Sequence, residues 1–300
     1  MRSWPASKRP SPELGGRIDD VSKTGRDASP PPAPEPLSSE IFDAHCHLDT
    51  MAHRMGRAAD EGFVAEVMAQ ARAVGVTRVI TVGDTVAASR WCVQAANAHP
   101  DVFAAVAVHP TEVTGLTDDD YAELTTLARD PRVVAVGETG LDYYWRTVAP
   151  EVQHEHFRRH LAMARAVGKP VMIHDREAHA DVLRIVAECG APTAGVIFHA
   201  FSGDAAMART CREAGYVLSF AGVVTFTNAP ALRQALAETG GDGILVETDA
   251  PFLTPHPFRG RPNSPYLVAL TVRAVAEVTQ RSTASVVAGV QATGRRLFGW

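Results

Sequence analysis

From Ile41 onward, short apolar runs alternate with longer amphipathic stretches, and this alternation constrains the fold more than any other feature of the sequence. The runs are IFDAH (41–45), RVITVG (78–83), FAAVAVHP (103–110), VVAVGE (133–138), PVMIH (170–174), GVIFH (195–199), YVLSF (216–220) and GILVET (243–248). Between them, apolar residues recur at spacings of three and four, which predicts helices with one buried stripe each. Strands that alternate with helices predict a parallel sheet.

The number of strands favours one kind of parallel sheet over the other. Eight strand–helix units are the number that closes a (β/α)8 TIM barrel, and an open doubly wound sheet is the alternative. An open sheet often has a Gly-rich phosphate-binding turn after its first strand, whereas here the first strand leads into HCHLD. We therefore predict an α/β fold of the (β/α)8 TIM barrel class over residues 41–300.

Residues 1–40 differ in composition from the rest of the chain. They include SPPPAPEP and scattered Ser, Lys, Arg and Asp residues, which cannot bury much apolar area. We expect a disordered, Pro-rich N-terminal tail. It has no apolar h-region, and Glu13, Asp19 and Asp20 are untypical of a transit peptide, so we expect a cytoplasmic protein.

Charge and cysteine content narrow the classes of function. The 300 residues have a formal net charge of −5, so a nucleic-acid partner would have to be bound locally rather than through a general basic surface. No apolar run is long enough to span a bilayer, and we expect no membrane partner. The four cysteines form no CxxC pair, and we interpret them as reduced thiols.

Polar side chains stand at the C-terminal ends of the predicted strands. They are His45, His47, His109, Glu138, His174, His199, Glu247 and Asp249. These strand ends meet at one rim of a barrel, where the active sites of such barrels lie. A single histidine at a strand end is most often structural, but four histidines from three strand ends (His45, His47, His174 and His199), with a glutamate and an aspartate from two more, predict a metal centre.

The number of donors predicts two ions rather than one. Neutral imidazoles and carboxylates suit Zn²⁺, Mn²⁺ and similar divalent ions. One catalytic ion must keep an open position, so six protein ligands suit two ions that share a bridging carboxylate, roughly 3.5–4 Å apart. Phosphodiester hydrolysis is a reaction that uses such a pair to activate water and to clamp the attacking and leaving oxygens.

Specific motifs connect the chain with a known family. They are FDAHCHLD, VAVHP, VGETGLDYYW, PVMIHDREA, FHAFSG, LSFAGVVTF and ETDAPFLTPHPFRGRPNSP, from residue 42 to about 265, together with the RRLFG ending. On these motifs the chain resembles the TatD family of metal-dependent deoxyribonucleases, within the amidohydrolase-like barrel superfamily. The resemblance implies an eight-stranded barrel that hydrolyses DNA phosphodiesters, with members resembling 3′–5′ exonucleases on single strands.

The resemblance also implies roles for individual residues. His45 and His47 would bind a first metal with Asp249, and Glu138 would bridge two metals. His174 and His199 would bind the second metal. Asp249 would also orient or deprotonate the attacking water, so Asp249 and Glu138 are the predicted catalytic residues. The ions would be Mg²⁺, Mn²⁺ or Zn²⁺.

Four positions depart from the family pattern. Ala200 stands in HAFSG where the family usually has HCFSG, and we expect it to point away from the metals. Arg261 and Ser264 take the places of a Lys and a Glu, and Arg keeps the charge but changes the geometry toward phosphate. Gly294 replaces an Asn before RLF, far from the site.

Several residues near the strand ends are predicted to bind substrate phosphate. Arg259, Arg261 and Asn263 share one Pro-rich loop, which we interpret as a phosphate clamp because Arg forks match phosphate oxygens; a solvated loop is the alternative. Arg176 follows His174 by two positions and is predicted to point the same way. His109 is either bonded to backbone or near the phosphate.

An aromatic run follows Glu138 within GETGLDYYW. Aromatic faces stack on unpaired bases regardless of sequence, and Tyr143 is our predicted substrate contact. Tyr144 and Trp145 share the run, and we expect at least one of the three rings to pack the loop instead.

Two carboxylates and a histidine-rich helix have less specific interpretations. We expect Glu247 to orient a ligand histidine or a backbone amide, and Asp43 to be a buried structural carboxyl or another orienting group. His156 and His160 lack an HExxH arrangement, and we interpret them as part of a solvated helix face.

The sequence supports a nuclease and leaves two alternatives. We predict a monomeric hydrolase that acts on single-stranded DNA ends. One alternative hydrolyses a small-molecule or aminoacyl-tRNA ester or amide on the same metal site; many such enzymes bridge their metals with a modified lysine where this chain has Glu138. The other is a non-enzymatic binding module, which the complete ligand set disfavours.

Overall fold

The computed structural model describes residues 29–300, in which eight parallel strands follow one another around a barrel in sequence order. The strands are β1 (Ile41–Cys46), β2 (Val76–Val82), β3 (Val102–Ala105), β4 (Val133–Asp142), β5 (Val171–Arg176), β6 (Val196–Phe198), β7 (Val217–Phe220) and β8 (Ile244–Val246). Beyond β8, Asp249 N donates to His45 O at 2.8 Å and His47 N donates to Ala250 O at 2.7 Å. These bonds join the last strand to the first. The predicted (β/α)8 barrel is confirmed, and the open-sheet alternative is wrong.

Helices connect the strands and cover the barrel. They are α1 (Leu48–Arg54), α2 (Glu61–Ala73), α3 (Val86–Ala98), α4 (Asp118–Ala128), α5 (Pro150–Val167), α6 (His179–Cys189), α7 (Ala205–Glu213), α8 (Pro230–Thr239), α9 (Val268–Thr279) and α10 (Thr283–Phe298). The sequence did not predict α1, because seven residues are too short for a periodic apolar pattern. Among the helices of residues 29–300, none has both the length and the apolar character needed to cross a membrane.

Polar side chains at helix N-termini explain where several helices begin. Asp60, Thr85, Thr117, Asp204 and Ser282 each accept a hydrogen bond from a backbone N–H in the first turn of the helix that follows. A cap of this kind typically stabilises a helix by about 1 kcal/mol.

Two glycines allow elements of the barrel to approach closely. Gly140 has a φ of 140°, and a Cβ there would overlap the carbonyl oxygen of His174 on the neighbouring strand. The second glycine of GETG therefore lets β4 and β5 pack at the level of a predicted ligand. Gly294 lies against Phe42, whose ring would be 2.6 Å from an added Cβ. This departure from the family pattern lets α10 approach β1.

The histidines of α5 contradict one prediction. His156 and His160 are buried rather than solvated. The Nδ1 of His156 lies 2.7 Å from the hydroxyl of Tyr121, and the Nδ1 of His160 lies 2.8 Å from Oγ1 of Thr139. The two rings thus belong to the stripe of α5 that packs on α4 and β4.

The N-terminal segment requires a second correction. Of the predicted disordered tail 1–40, residues 1–28 lie outside the described residues. Residues 29–40 pack along the barrel: Pro31 is buried, and the hydroxyl of Tyr266 donates to the carbonyl of Pro31 at 2.6 Å. For these residues the prediction of disorder is wrong. A segment that cannot form its own hydrophobic core can still be ordered when its backbone carbonyls accept hydrogen bonds from side chains of the barrel.

Candidate metal centre

The predicted metal ligands converge at the C-terminal mouth of the barrel. They come from five of the strands or from the residues that follow them, and they are His45, His47, Glu138, His174, His199 and Asp249. Their side chains are between 0% and 16% exposed, so water can satisfy few of their polar atoms.

The first group of donors is formed by His45, His47 and Asp249. The Nε2 atoms of the two histidines lie 3.1 Å apart. Oδ1 of Asp249 lies 3.7 Å from Nε2 of His45 and 3.5 Å from Nε2 of His47. These three atoms are close enough together to contact a single cation.

The second group is formed by His174 and His199, with Glu138 between the two groups. Oε2 of Glu138 lies 2.7 Å from Nε2 of His199 and 3.5 Å from Nδ1 of His174. Oε1 of the same carboxylate lies 3.5 Å from Nε2 of His47 in the first group. Glu138 thus turns one oxygen toward each group.

A buried oxygen of Glu138 provides a test of whether these residues fit a metal. Oε2 of Glu138 accepts no hydrogen bond although Nε2 of His199 is 2.7 Å away. A buried carboxylate oxygen without a donor is costly, and a cation bound to it would remove that cost. Imidazole and carboxylate donors also suit divalent ions such as Zn²⁺ and Mn²⁺, so the residues present fit the predicted group.

Acceptors behind the histidines set which ring nitrogen faces the centre. Nδ1 of His47 lies 3.0 Å from the carbonyl of Val82, and Nδ1 of His199 lies 3.3 Å from Oε1 of Glu247. With these acceptors holding the N–H at Nδ1, each Nε2 keeps a lone pair for a cation. The predicted orienting role of Glu247 agrees with this geometry.

Asp142 orients the remaining histidine, and sequence reasoning missed it. Oδ2 of Asp142 lies 3.0 Å from Nε2 of His174, which leaves Nδ1 of His174 to face the centre. The predicted strand ended at Glu138, but β4 continues to Asp142. The sequence did contain a sign of this role: Asp142 lies four positions after Glu138, and side chains four positions apart on one strand share a face.

Electrostatics hold two of the donors, Glu138 and His45, in the protonation states that metal ligands need, whereas burial of His47, His174 and His199 is outweighed by nearby carboxylates, which raise their pKa values above the ordinary value. Burial acts to raise the pKa of Glu138, but the neighbouring His199 and His174 offset it, and the net pKa lies well below the ordinary value. Burial and the adjacent His199 hold the pKa of His45 well below its ordinary value. Glu138 is therefore an anion and His45 a neutral imidazole at neutral pH.

Asp43 is a structural carboxyl next to the centre. It accepts hydrogen bonds from the backbone N–H of Thr248 at 2.9 Å and of His45 at 3.2 Å. Burial raises the pKa of Asp43 to about 8. Its contacts bind β1 to the segment after β8, which supports the structural interpretation.

Comparison with known proteins assigns the family. The model of the family described as TatD related DNase matches residues 42–299. The chain belongs to this TatD family.

Relatives agree with this family, and a solved structure shares the fold. A Mycobacterium tuberculosis protein described as an uncharacterized metal-dependent hydrolase TatD is 47% identical over 264 residues, covering 86% of this chain and 98% of the relative. An Edwardsiella piscicida protein described as a 3′-5′ ssDNA/RNA exonuclease TatD is 33% identical over 205 residues, covering 68% and 79%. The solved structure of the TatD homologue YjjV from Escherichia coli K12 shares the fold, with a TM-score of 0.76, 24% identity and coverage of 87% and 98%.

At Ala200, the departure from the TatD pattern leaves the centre intact. The backbone N–H of Ala200 donates to Oε1 of Glu247 at 2.7 Å, so this position uses its backbone rather than its side chain. His199 keeps its place in the second group, as we expected.

The predicted phosphate clamp is engaged within the protein. The guanidinium of Arg261 donates to the carbonyls of Ser29 and Pro30 at 3.0 and 2.9 Å. Asn263 is buried and donates to the carbonyl of Thr248 at 2.8 Å, and Ser264 is buried beside it. These side chains connect the loop after β8 to the N-terminal segment and to the end of β8. Their contact with substrate stays a prediction.

The other predicted substrate residues lie around the same mouth or pack its loops. The ring of His109 is 4.3 Å from the ring of His174. Arg259 lies over the ring of Phe226, with its guanidinium carbon 4.9 Å from the ring centroid. Arg176 lies over the ring of Tyr144 at 4.0 Å.

Tyr143 is the packing residue of the aromatic run. Its hydroxyl donates to Oδ2 of Asp181 at 2.7 Å and contacts Nε2 of His154 at 2.5 Å. The ring is only partly exposed, whereas that of Tyr144 is 46% exposed. A substrate contact through the face of Tyr143 therefore stays a prediction, and Tyr144 presents more ring surface.

Proposed function

We propose that this protein is a metal-dependent hydrolase that cleaves phosphodiester bonds in DNA, as a 3′–5′ exonuclease on single-stranded ends. The observation that carries the proposal is the carboxylate of Glu138, which faces a histidine of the first donor group with one oxygen and both histidines of the second with the other. Membership of the TatD family and the exonuclease description of one relative support DNA as the substrate.

The proposal assigns the six donors to two divalent ions. His45, His47 and Asp249 would hold one ion, His174 and His199 would hold the other, and Glu138 would contact both. Such ions supply Lewis acidity, which lowers the pKa of water and offsets charge on phosphoryl oxygens. The imidazole-rich set favours Zn²⁺ or Mn²⁺ over Mg²⁺.

Asp249 is assigned as the base that accepts a proton from the attacking water. Its carboxylate is 12% exposed, whereas that of Glu138 is 6% exposed, so it is the more open to solvent of the two. Its backbone has a φ of 53°, which is uncommon for a residue other than glycine, and its N–H is bonded to the carbonyl of His45. A constrained backbone of this kind often marks a functional position.

The test is cleavage of single-stranded DNA labelled at its 5′ end. The proposal expects stepwise shortening from the 3′ end with Mn²⁺, Zn²⁺ or Mg²⁺, loss of cleavage with chelator, and recovery when metal is restored. Asp249→Asn should fold with an unchanged melting temperature in chelator and lose cleavage. No chelator-sensitive shortening by the wild type, or full cleavage by Asp249→Asn, would contradict the proposal.

A second substrate class uses the same centre. Hydrolysis of a small-molecule or aminoacyl-tRNA ester or amide would depend on the same six donors, so chelator-sensitive ester hydrolysis without DNA cleavage would favour it.

A monomeric state and a cytoplasmic location are part of the proposal, and gel filtration and cell fractionation test them.

A further inference from the structure

The exposed aromatic residue beside the centre is Tyr144, in the loop after β4. Its side chain is 46% exposed, among the largest exposures of apolar or aromatic side chains in residues 29–300. Trp145 meets the ring of Tyr144 edge-on, with centroids 4.9 Å apart and planes at 90°. The two neighbouring rings offer an exposed aromatic surface on which a planar group can stack.

Arg176 covers one face of the Tyr144 ring. Its guanidinium carbon lies 4.0 Å from the Tyr144 centroid and 5.7 Å from that of Trp145. Within the described part of the chain, no ion pair involves Arg176. The guanidinium is thus stacked on aromatic rings while its charge is not neutralised by a carboxylate, which suits a site that receives an anionic ligand.

The loop that carries Tyr144 is attached directly to the metal centre. Oδ1 of Asp142 accepts hydrogen bonds from the backbone N–H of Tyr144 at 3.0 Å and of Trp145 at 2.9 Å. Oδ2 of the same carboxylate lies 3.0 Å from Nε2 of His174. The carboxylate of Asp142 therefore connects the loop that carries Tyr144 to the imidazole of His174, and Nδ1 of that imidazole faces Glu138.

We propose that Tyr144, supported by Arg176 and Trp145, is a stacking platform for a nucleobase next to the scissile phosphate. The inference rests on the proposed nuclease function. The open face of Tyr144 takes the base, and the guanidinium of Arg176 adds positive charge beside the phosphate backbone. Because every base has a π-face, the platform binds single strands without reading their sequence.

The experiment compares two single-stranded oligonucleotides, one intact and one whose three 3′-terminal nucleotides are abasic. Wild type should cleave the intact strand about 5- to 100-fold more efficiently in kcat/KM. Tyr144→Ala should lower kcat/KM for the intact strand to the value for the abasic strand. It should leave kcat/KM for the abasic strand unchanged. Tyr144→Phe keeps the ring face and should behave as wild type.

A binding measurement adds a readout specific to stacking. A 3′-terminal 2-aminopurine in the intact strand should lose fluorescence on binding to wild type in chelator, and Tyr144→Ala should remove most of that quenching. The melting temperature of Tyr144→Ala should fall only slightly, because the lost contacts with Arg176 and Trp145 are partly exposed to solvent.

Two results would overturn the platform while leaving the nuclease in place: equal cleavage of intact and abasic strands by wild type, or an equal loss on both strands in Tyr144→Ala. Failure of wild type to cleave either strand with any of the three metals would overturn the nuclease and the platform with it.

Discussion

The carboxylate of Asp142 touches Nε2 of His174 with one oxygen, at 3.0 Å, and holds two backbone amides of the following loop with the other. His174 turns its opposite nitrogen toward Glu138. The position of His174, a predicted metal ligand, is therefore coupled to the position of the loop that carries Tyr144. Both depend on Asp142, which is buried and does not contact the nitrogen of His174 that faces the centre.

Asp142→Asn should weaken metal binding and activity by about 10- to 100-fold, because an amide has one acceptor oxygen and cannot accept from both the N–H of His174 and the two loop amides. Titration of the metal-free protein with Mn²⁺ measures the affinity. The matched control is Asp181→Asn, which removes a carboxylate charge beside Tyr143 in the same region but contacts no predicted metal ligand. Equal Mn²⁺ affinity in wild type and Asp142→Asn would contradict the role given to Asp142.

Glu138→Gln should remove one of the two ions and lower activity by at least about 100-fold, because an amide cannot present two anionic oxygens to two donor groups. Metal content after dialysis is measured by mass spectrometry. Glu188→Gln serves as the control, since Glu188 forms exposed ion pairs on α6. Retention of both ions by Glu138→Gln would argue against a bridging carboxylate.

Tyr266→Phe should lower the free energy of unfolding by about 1 kcal/mol, because its hydroxyl donates to the carbonyl of the buried Pro31 in the N-terminal segment. Urea denaturation in chelator measures the change. Tyr144→Phe removes an exposed hydroxyl and should have little effect. An unchanged stability of Tyr266→Phe would show that residues 29–40 contribute little to the fold.

His160 should make the protein sensitive to acid. Burial lowers the pKa of His160 to about 3, whereas an unfolded histidine has its ordinary value of 6.5. Between these values the unfolded chain binds the extra proton, so the stability present above pH 6.5 falls by up to about 1.4 kcal/mol per pH unit as the pH decreases toward 3.

Replacing this histidine tests the assignment. In chelator, His160→Gln should show a flatter dependence of unfolding free energy on pH between 6.5 and 4, even if its stability at neutral pH is lower. His256→Gln, at an exposed position, should keep the wild-type slope. The same steep slope in His160→Gln would assign the acid sensitivity to other groups.

The barrel and the convergence of six donors followed from the sequence for a physical reason. Parallel strands that close on themselves place all their C-terminal ends at one rim, so strand position alone brought His45, Glu138 and His199 together. The contribution of Asp142 did not follow, because the predicted strand stopped at Glu138 and left Asp142 in an apparent loop.

Other features depended on tertiary contacts that no local pattern encodes. A Pro-rich composition predicted disorder over residues 29–40, yet carbonyls there accept hydrogen bonds from Arg261, Tyr266 and Arg273. The charge and position of Arg261 predicted a phosphate ligand. Its guanidinium instead donates to carbonyls of the N-terminal segment, a contact that only the folded structure reveals.

The most direct test of the central claim is anomalous diffraction from crystals of the protein grown with Mn²⁺. The account predicts two manganese peaks on opposite sides of the Glu138 carboxylate, one beside His45, His47 and Asp249 and the other beside His174 and His199. A single peak, or peaks distant from Glu138, would contradict it.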